Sequence, residues 1–219
     1  MSLERVWPDR AEVTAADLVG EAERLPAGRP WVTGIMVSSL DGRATLGGTS
    51  RALGGPSDLA MLVALRRRAD ALIVGPSTVR AEGYGRLPCP AVLVSRSFDL
   101  PWEAGLFATP GQPVLVYTLA EQESPEVAAE VEVVPIVELA EVLADLHGRG
   151  FERLLCEGGP TLNRALLTAG LLDELFLTLS PVVAGEAAAP AIIAPGDPAR
   201  LTLRSVAIDD GELYLRYSV

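Results

Sequence analysis

Residues 64–84 read ALRRRADALIVGPSTVRAEGY, and this stretch decides the fold class. Its beginning closes a helical pattern. From Ser57 to Ala69 the apolar positions Leu59, Leu62, Val63 and Leu65 recur at helical spacing. Arg66, Arg67 and Arg68 fall in the last turns, where the helix dipole favours cations. Ala71 to Val74 is then a short unbroken apolar run ending at Gly75, the pattern of a strand buried on both faces and followed by a turn. After the turn, Ser77 and Thr78 bring hydroxyls that suit a helix cap or a bound nucleotide equally. A helix leading into a doubly buried strand, and that strand into a polar turn, is the repeating unit of an α/β sheet.

The same alternation extends in both directions. Upstream, Thr14 to Leu25 reads as a short amphipathic helix with Thr14 as N-cap and Asp17 three residues on, and Trp31 to Val37 as a β-branched strand. Downstream, Ala91 to Val94, Val114 to Tyr117 and, more weakly, Val131 to Val134 read as strands. Val137 to Leu146 is a helix, Arg153 to Cys156 a strand, and Thr161 to Thr168 a helix. Three strands close the chain at Glu174 to Leu179, Leu201 to Ala207 and Leu213 to Tyr217. No helix lies between them, so antiparallel pairing is expected there. Glu186 to Pro198 is a loop. The expectation is one domain over residues 1–219, with 1–30 an N-terminal extension carrying the short helix. Its sheet is mixed and mostly parallel, with helices on both faces and antiparallel strands at the C-terminal end.

Composition limits the partners. The chain has 219 residues, 49% of them apolar and 21% charged, enough for a sizeable core. A net charge of −11 opposes a nucleic-acid surface, which needs a basic excess. An anionic ligand is still possible where a few arginines converge. With two cysteines, Cys89 and Cys156, and one histidine, His147, no zinc-site spacing exists, and no metal is expected. His147 stands near a helix end before Gly148, where an imidazole meets terminal carbonyls. No Ser/His/Asp or Cys/His set supports nucleophilic hydrolysis. Neither a signal-peptide layout nor an apolar span of about 18 residues occurs, so no membrane partner is expected and the cytoplasm is the expected compartment.

In open α/β sheets ligands gather at the carboxyl ends of strands, and three loops there have suitable composition. Cys156-Glu157-Gly158-Gly159-Pro160-Thr161-Leu162-Asn163 follows a buried strand and opens a helix. Its glycines permit close backbone approach, and the helix start favours a phosphate. An ordinary strand-to-helix turn with Pro160 at the first helical position explains the same residues. Gly75 to Gly85 is the second loop, and Ser38 to Ser50, with its Asp41-Gly42 turn, the third. Glu157 reads either as a solvated rim residue or as an acceptor for ring N–H or ribose groups of a ligand.

Taken together, SSLDGRATLGGTS at 38–50, ALRRRADALIVGPSTVRAEGY at 64–84, LLCEGGPTLNRALL at 154–167 and DELFLTLSPVVAG at 173–185 resemble the reductase domain of bacterial riboflavin biosynthesis. The resemblance runs from Trp31 onward. It implies a dihydrofolate-reductase-like fold, usually dimeric, hence a homodimer. It also implies NADPH as cofactor and reduction of the ribosyl group of 5-amino-6-(5-phosphoribosylamino)uracil to ribityl. The zinc deaminase motifs of the family's bifunctional members are absent from these residues, so the chain resembles a stand-alone reductase.

Residue by residue, the resemblance gives cofactor positions to Ser38, Thr78, Glu82 and Ser95 and to the turn from Gly158 and Gly159 through Pro160, Thr161, Leu162 and Asn163. Substrate positions fall on Ser50, Arg66 and Glu157. Glu82 stands where the family usually has Asp, Ala52 where it has Trp, and Gly83-Tyr84-Gly85-Arg86 where it has an Asp-Asp-Pro-x-Leu-Thr run. The implied reaction opens the ribosylamine to an imine and delivers hydride to ribose C1′. A pocket carboxylate, Glu157 or Asp41, would stabilise the protonated imine, with water as an alternative proton source. Arg66, with Arg51, would hold the 5′-phosphate. Arg96, between Ser95 and Ser97 after a strand, has the composition for the 2′-phosphate of NADPH; an exposed polar turn explains it as well. Two alternatives remain at this level: a dihydrofolate-type pterin reductase and a non-catalytic nucleotide-binding module.

Overall fold

The computed structural model describes residues 2–20, 25–119 and 121–219. In chain order its elements are β1 Leu3–Trp7, β2 Ala11–Val13, α1 Ala15–Val19, β3 Trp31–Ser38, α2 Pro56–Arg66, β4 Ala71–Val74, α3 Pro76–Glu82, β5 Ala91–Val94, β6 Pro113–Tyr117, β7 Glu130–Val134, α4 Leu139–Gly148, β8 Arg153–Cys156, α5 Pro160–Thr168, β9 Glu174–Leu179, β10 Thr202–Asp209 and β11 Glu212–Ser218. The described strands form one sheet in the order β2-β1-β10-β11-β9-β3-β8-β4-β5-β6-β7. From β9 to β7 every pairing is parallel, and from β9 back to β2 every pairing is antiparallel. The mixed, mostly parallel sheet with antiparallel strands at its C-terminal end is therefore observed.

Alternation along the central strands divides the core in two. In β4, Leu72 and Val74 pack with Leu18, Met61, Leu65 and Val79, the inner residues of α1, α2 and α3. Ala71 and Ile73 point the other way, against Val142, Leu143 and Leu146 of α4 and Leu166 of α5. All four β4 residues are fully buried because helices cover both faces, as parallel strands require.

Two expectations change at the N-terminus. Residues 3–13 of the N-terminal extension add two strands that were not expected: β1 pairs with β10, β2 pairs with β1, and both extend the sheet. Leu3, almost fully buried, anchors this edge. Thr14 does cap the short helix, in a reciprocal capping box with Asp17, but α1 ends at Val19 with Gly20 as C-cap at φ 57°. The expected continuation over residues 21–24 lies outside the described residues. Among the described residues no helix is long and apolar enough to cross a membrane.

Candidate active site

At the carboxyl ends of β3, β4 and β8 lies a cleft of about 700 Å³. Ile35, Met36 and Val37 of β3 form its floor. Asp58, Leu59, Leu62 and Arg66 of α2 form one wall, and Ser77 and Thr78 of α3 another. Gly159, Pro160 and Thr161 close one end. The α2 periodicity thus had two meanings. The helix packs down through Ser57, Met61 and Leu65, while Leu59 and Leu62, in the apolar stripe read from sequence, line the cleft.

Backbone hydrogen bonds staple the loops after β4 and β8 together. Glu157 N–H donates to the Ile73 carbonyl at 3.1 Å, and Gly75 N–H to the Gly158 carbonyl at 2.7 Å. The approach is closest at Gly159, where an added Cβ would lie 2.7 Å from Thr78 Oγ1. Gly158 has φ +84°, a left-handed conformation that favours glycine, with Met36 Sδ close beside it. Helix α5 opens with Pro160 at its start and no side-chain cap, so its first N–H groups have no partner from a capping side chain. A glycine cradle at an uncapped helix start suits an anionic group such as a nucleotide phosphate.

The chemical centre is a three-residue set on three elements. Arg66 donates from Nε and Nη2 to the two oxygens of Glu157, each at 2.7 Å. Tyr84 donates its hydroxyl to Glu157 Oε2 at 2.6 Å, and the Arg66 guanidinium lies 5.8 Å from the centre of the Tyr84 ring. The Glu157 side chain is only 6% exposed and that of Arg66 25%. Burial first, with the Glu157 charge behind it, holds the Tyr84 hydroxyl protonated well above the usual tyrosine range. Burial likewise pushes the nearby Cys89 thiol up to about 11.

The cleft brings together Ser50, Arg66, Thr78, Glu82, Glu157, Gly159, Pro160 and Thr161 from the residues singled out in the sequence. Glu82 also bridges loops, accepting from Ser50 N–H at 2.9 Å. Other expected positions lie elsewhere. Leu162 packs against the core, and buried Asn163 spends its amide on the Ile192 carbonyl and Cys156 Sγ. Ser38 and Ser95 are buried at strand ends and do not line the cleft, and Arg96 is exposed on the surface, 3.4 Å from Glu138. Asp41 is also outside the lining. Its carboxylate accepts from Ser39 Oγ at 2.6 Å, Ala184 N at 2.9 Å and Gly185 N at 3.0 Å. These donors, Ser39 foremost, hold it well below the usual carboxylate range, and Asp41 pins loops away from the lining where an imine cation would need a carboxylate. Arg66, expected at the substrate phosphate, commits two of its donors to Glu157 and keeps its remaining N–H groups at the cleft. Arg51, exposed at the cleft, donates to the Glu82 carbonyl at 3.1 Å.

Residues 30–214 match the model of the RibD C-terminal domain. The chain belongs to that family. A 2,5-diamino-6-ribosylamino-4(3H)-pyrimidinone 5′-phosphate reductase of Methanothermobacter thermautotrophicus is 33% identical over 179 residues, 72% of this chain and 80% of that protein. A pyrimidine reductase-like protein of Corynebacterium diphtheriae, 28% identical, superposes with a TM-score of 0.76 over 94% of this chain and 99% of its own. A dihydrofolate reductase of Enterococcus faecalis, complexed with NADP(H) and 16% identical, shares the fold with a TM-score of 0.53 over 89% and 98%. This RibD C-terminal domain protein is an oxidoreductase with a dihydrofolate-reductase-like fold.

Proposed function

We propose that this chain is the NADPH-dependent reductase of a ribosylaminopyrimidine 5′-phosphate, converting the ribosyl group to ribityl. The observation that carries the reading is the Arg66–Glu157–Tyr84 set at the strand ends, beside the Gly159 cradle in one cleft. A planar, donor-rich heterocycle is matched by a fixed carboxylate, and a nucleotide phosphate by the uncapped start of α5. The rim arginines Arg51 and Arg86 supply cations for the substrate phosphate in an otherwise acidic protein.

The nicotinamide, when bound, supplies hydride; the protein supplies placement. Gly159, Pro160, Thr161 and Thr78 would hold the cofactor's phosphates. Glu157, its orientation fixed by Arg66 and Tyr84, accepts hydrogen bonds from the pyrimidine. Leu59, Leu62 and Met36 give the reacting end an apolar lining. The reading includes a cytoplasmic homodimer.

The test follows NADPH oxidation with the 2,5-diaminopyrimidinone and the aminouracil ribosyl phosphates, and with dihydrofolate in parallel. Turnover with at least one ribosyl phosphate and none with dihydrofolate is expected. Turnover of dihydrofolate alone would make the chain a pterin reductase, and NADPH binding without any turnover would make it a nucleotide-binding module.

Preference for NADPH over NADH is proposed to rest on Arg96. It stands between Ser95 and Ser97 after β5, its pair with Glu138 is loose, and both side chains are about two-thirds exposed, so it is free to turn to a phosphate. Arg96→Ala is expected to lose about 1.5–3 kcal/mol of NADPH binding and almost none of NADH binding. Equal losses with both cofactors would place the 2′-phosphate elsewhere.

A further inference from the structure

Reduction of an imine needs a proton as well as a hydride, and the cleft carboxylates differ in whether they can provide one. Glu157 accepts from two donors of Arg66 and from Tyr84, and Glu82 accepts from the Ser50 backbone. Asp58 is built differently. It stands in the first turn of α2 and lines the cleft. Its carboxylate folds over Gly54, where an added Cβ would lie 2.2 Å from Asp58 Oδ2. Its side chain shares a hydrogen bond with that of Thr178, a β9 residue paired with Val37 on the cleft floor. No salt bridge to Asp58 occurs among the described residues.

Among the described residues, the titratable groups that the neighbouring strands turn toward it are acidic or phenolic, and Arg216, further along the same face of β11, is engaged with Glu174. On β11, Glu212 is buried, accepting from Gly55 N–H at 2.8 Å and from the Tyr214 hydroxyl. On β10, Asp209 accepts from Ser57 Oγ at 2.5 Å. The nearest cation of its own helix that faces the cleft, Arg66, is spent on Glu157. A half-buried carboxyl without a cation, facing another carboxylate, favours its protonated form.

We propose that Asp58 is the general acid of this site, delivering the proton that the substrate nitrogen takes up on reduction. The inference rests on the reductase reading above. In the step, the C1′–N double bond of the imine becomes single. The hydride, with its electron pair, joins C1′, the π pair moves to nitrogen, and nitrogen binds the proton from the Asp58 carboxyl, leaving a carboxylate. The sugar carbon is reduced, the dihydronicotinamide is oxidised, and solvent reprotonates Asp58 after product leaves. Burial, chiefly, and then Glu212 push the Asp58 carboxyl above its ordinary value, against the opposing hydrogen bond from Thr178.

Three variants and one titration test this. Asp58→Asn keeps the shape and removes the acid, so turnover is expected to fall by roughly a hundredfold or more with NADPH affinity little changed. The rate needs the protonated form, so it declines as pH rises through the Asp58 pKa. Glu212→Gln removes a like charge and moves that decline to lower pH; Thr178→Val removes the lowering hydrogen bond and moves it to higher pH. A merely structural Asp58 would give neither shift. Independently of catalysis, carbon-13 NMR of the aspartate carboxyls, without cofactor, is expected to show one group titrating above the ordinary aspartate range and absent in Asp58→Asn. An Asp58 that titrates at or below the ordinary value, or an Asp58→Asn protein with full turnover, overturns the proposal. Wild-type protein inactive on both ribosyl phosphates overturns the reductase reading and this step with it. An active wild type with an unaffected Asp58→Asn overturns this step alone.

Discussion

Replacing Arg66 with methionine is expected to destabilise the protein by about 3 kcal/mol and to abolish turnover. The reason is what Arg66 leaves behind. Glu157, 6% exposed at the side chain, would keep the Tyr84 hydroxyl and lose both charge-assisted bonds. Breaking a buried pair from one side costs about 3–5 kcal/mol, because the other charge stays buried and uncompensated. The lower end applies here, since a quarter of the Arg66 side chain is exposed. Methionine retains most of the aliphatic stem, so lost packing contributes little. Urea unfolding should therefore show a lower midpoint at unchanged slope. The double variant Arg66→Met with Glu157→Leu removes both charges and should recover a large part of the loss. A double variant as unstable as the single one would mean that packing, not the stranded carboxylate, is responsible. Catalysis should not recover in either protein: the single variant has lost the guanidinium that orients Glu157, and the double variant the acceptor itself.

That pair also marks how far the sequence could be read. Arg66 and Glu157 are 91 residues apart, and each alone has an ordinary explanation, a solvated helix end and a strand-end rim residue. Only the parallel pairing of β4 with β8 sets the ends of α2 and β8 side by side. The strands Ala71–Val74, Ala91–Val94, Arg153–Cys156 and Glu174–Leu179 were legible to the residue, because burial on both faces demands unbroken apolar runs. Strands β1 and β2 were not legible. LERVW and AEV carry charges, as edge strands do, and present no run long enough to separate from a loop. Helix α3 was half legible: Ser77 and Thr78 read as a helix cap or a nucleotide contact, whereas Gly75 is the N-cap and Pro76 starts the helix, so both hydroxyls lie inside its first turn. Asp58 gave no signal at all. An acidic residue in a first turn is what the helix dipole favours anyway, and only the fold shows Glu212 behind it and the cleft before it.

Gly159→Val is expected to weaken NADPH binding by far more than tenfold, at least roughly 1.4 kcal/mol, while the protein still folds. The backbone itself would tolerate a side chain, since φ at Gly159 is −82°. Space would not. A Cβ there meets Thr78 Oγ1 at 2.7 Å, closer than real Cβ atoms come, so Thr78 must turn its hydroxyl away or the loop after β8 must shift, and the further methyls of valine favour the shift. Overpacking of this kind costs typically about 1–3 kcal/mol of stability. Binding suffers further, because the same displacement moves the uncapped start of α5, where the phosphates are proposed to sit. Two causes are thus superposed, a clash within the protein and a filled cofactor site, and they separate experimentally. Thr78→Ala removes the atom that Gly159→Ala would strike. If the internal clash were everything, the double variant Thr78→Ala with Gly159→Ala would bind NADPH as well as Thr78→Ala alone. If the space belongs to the cofactor, fluorescence titration will find the double variant still weak, with near-normal thermal stability. A folded Gly159→Val protein with wild-type affinity would show that the loop is a turn and that the nucleotide binds elsewhere.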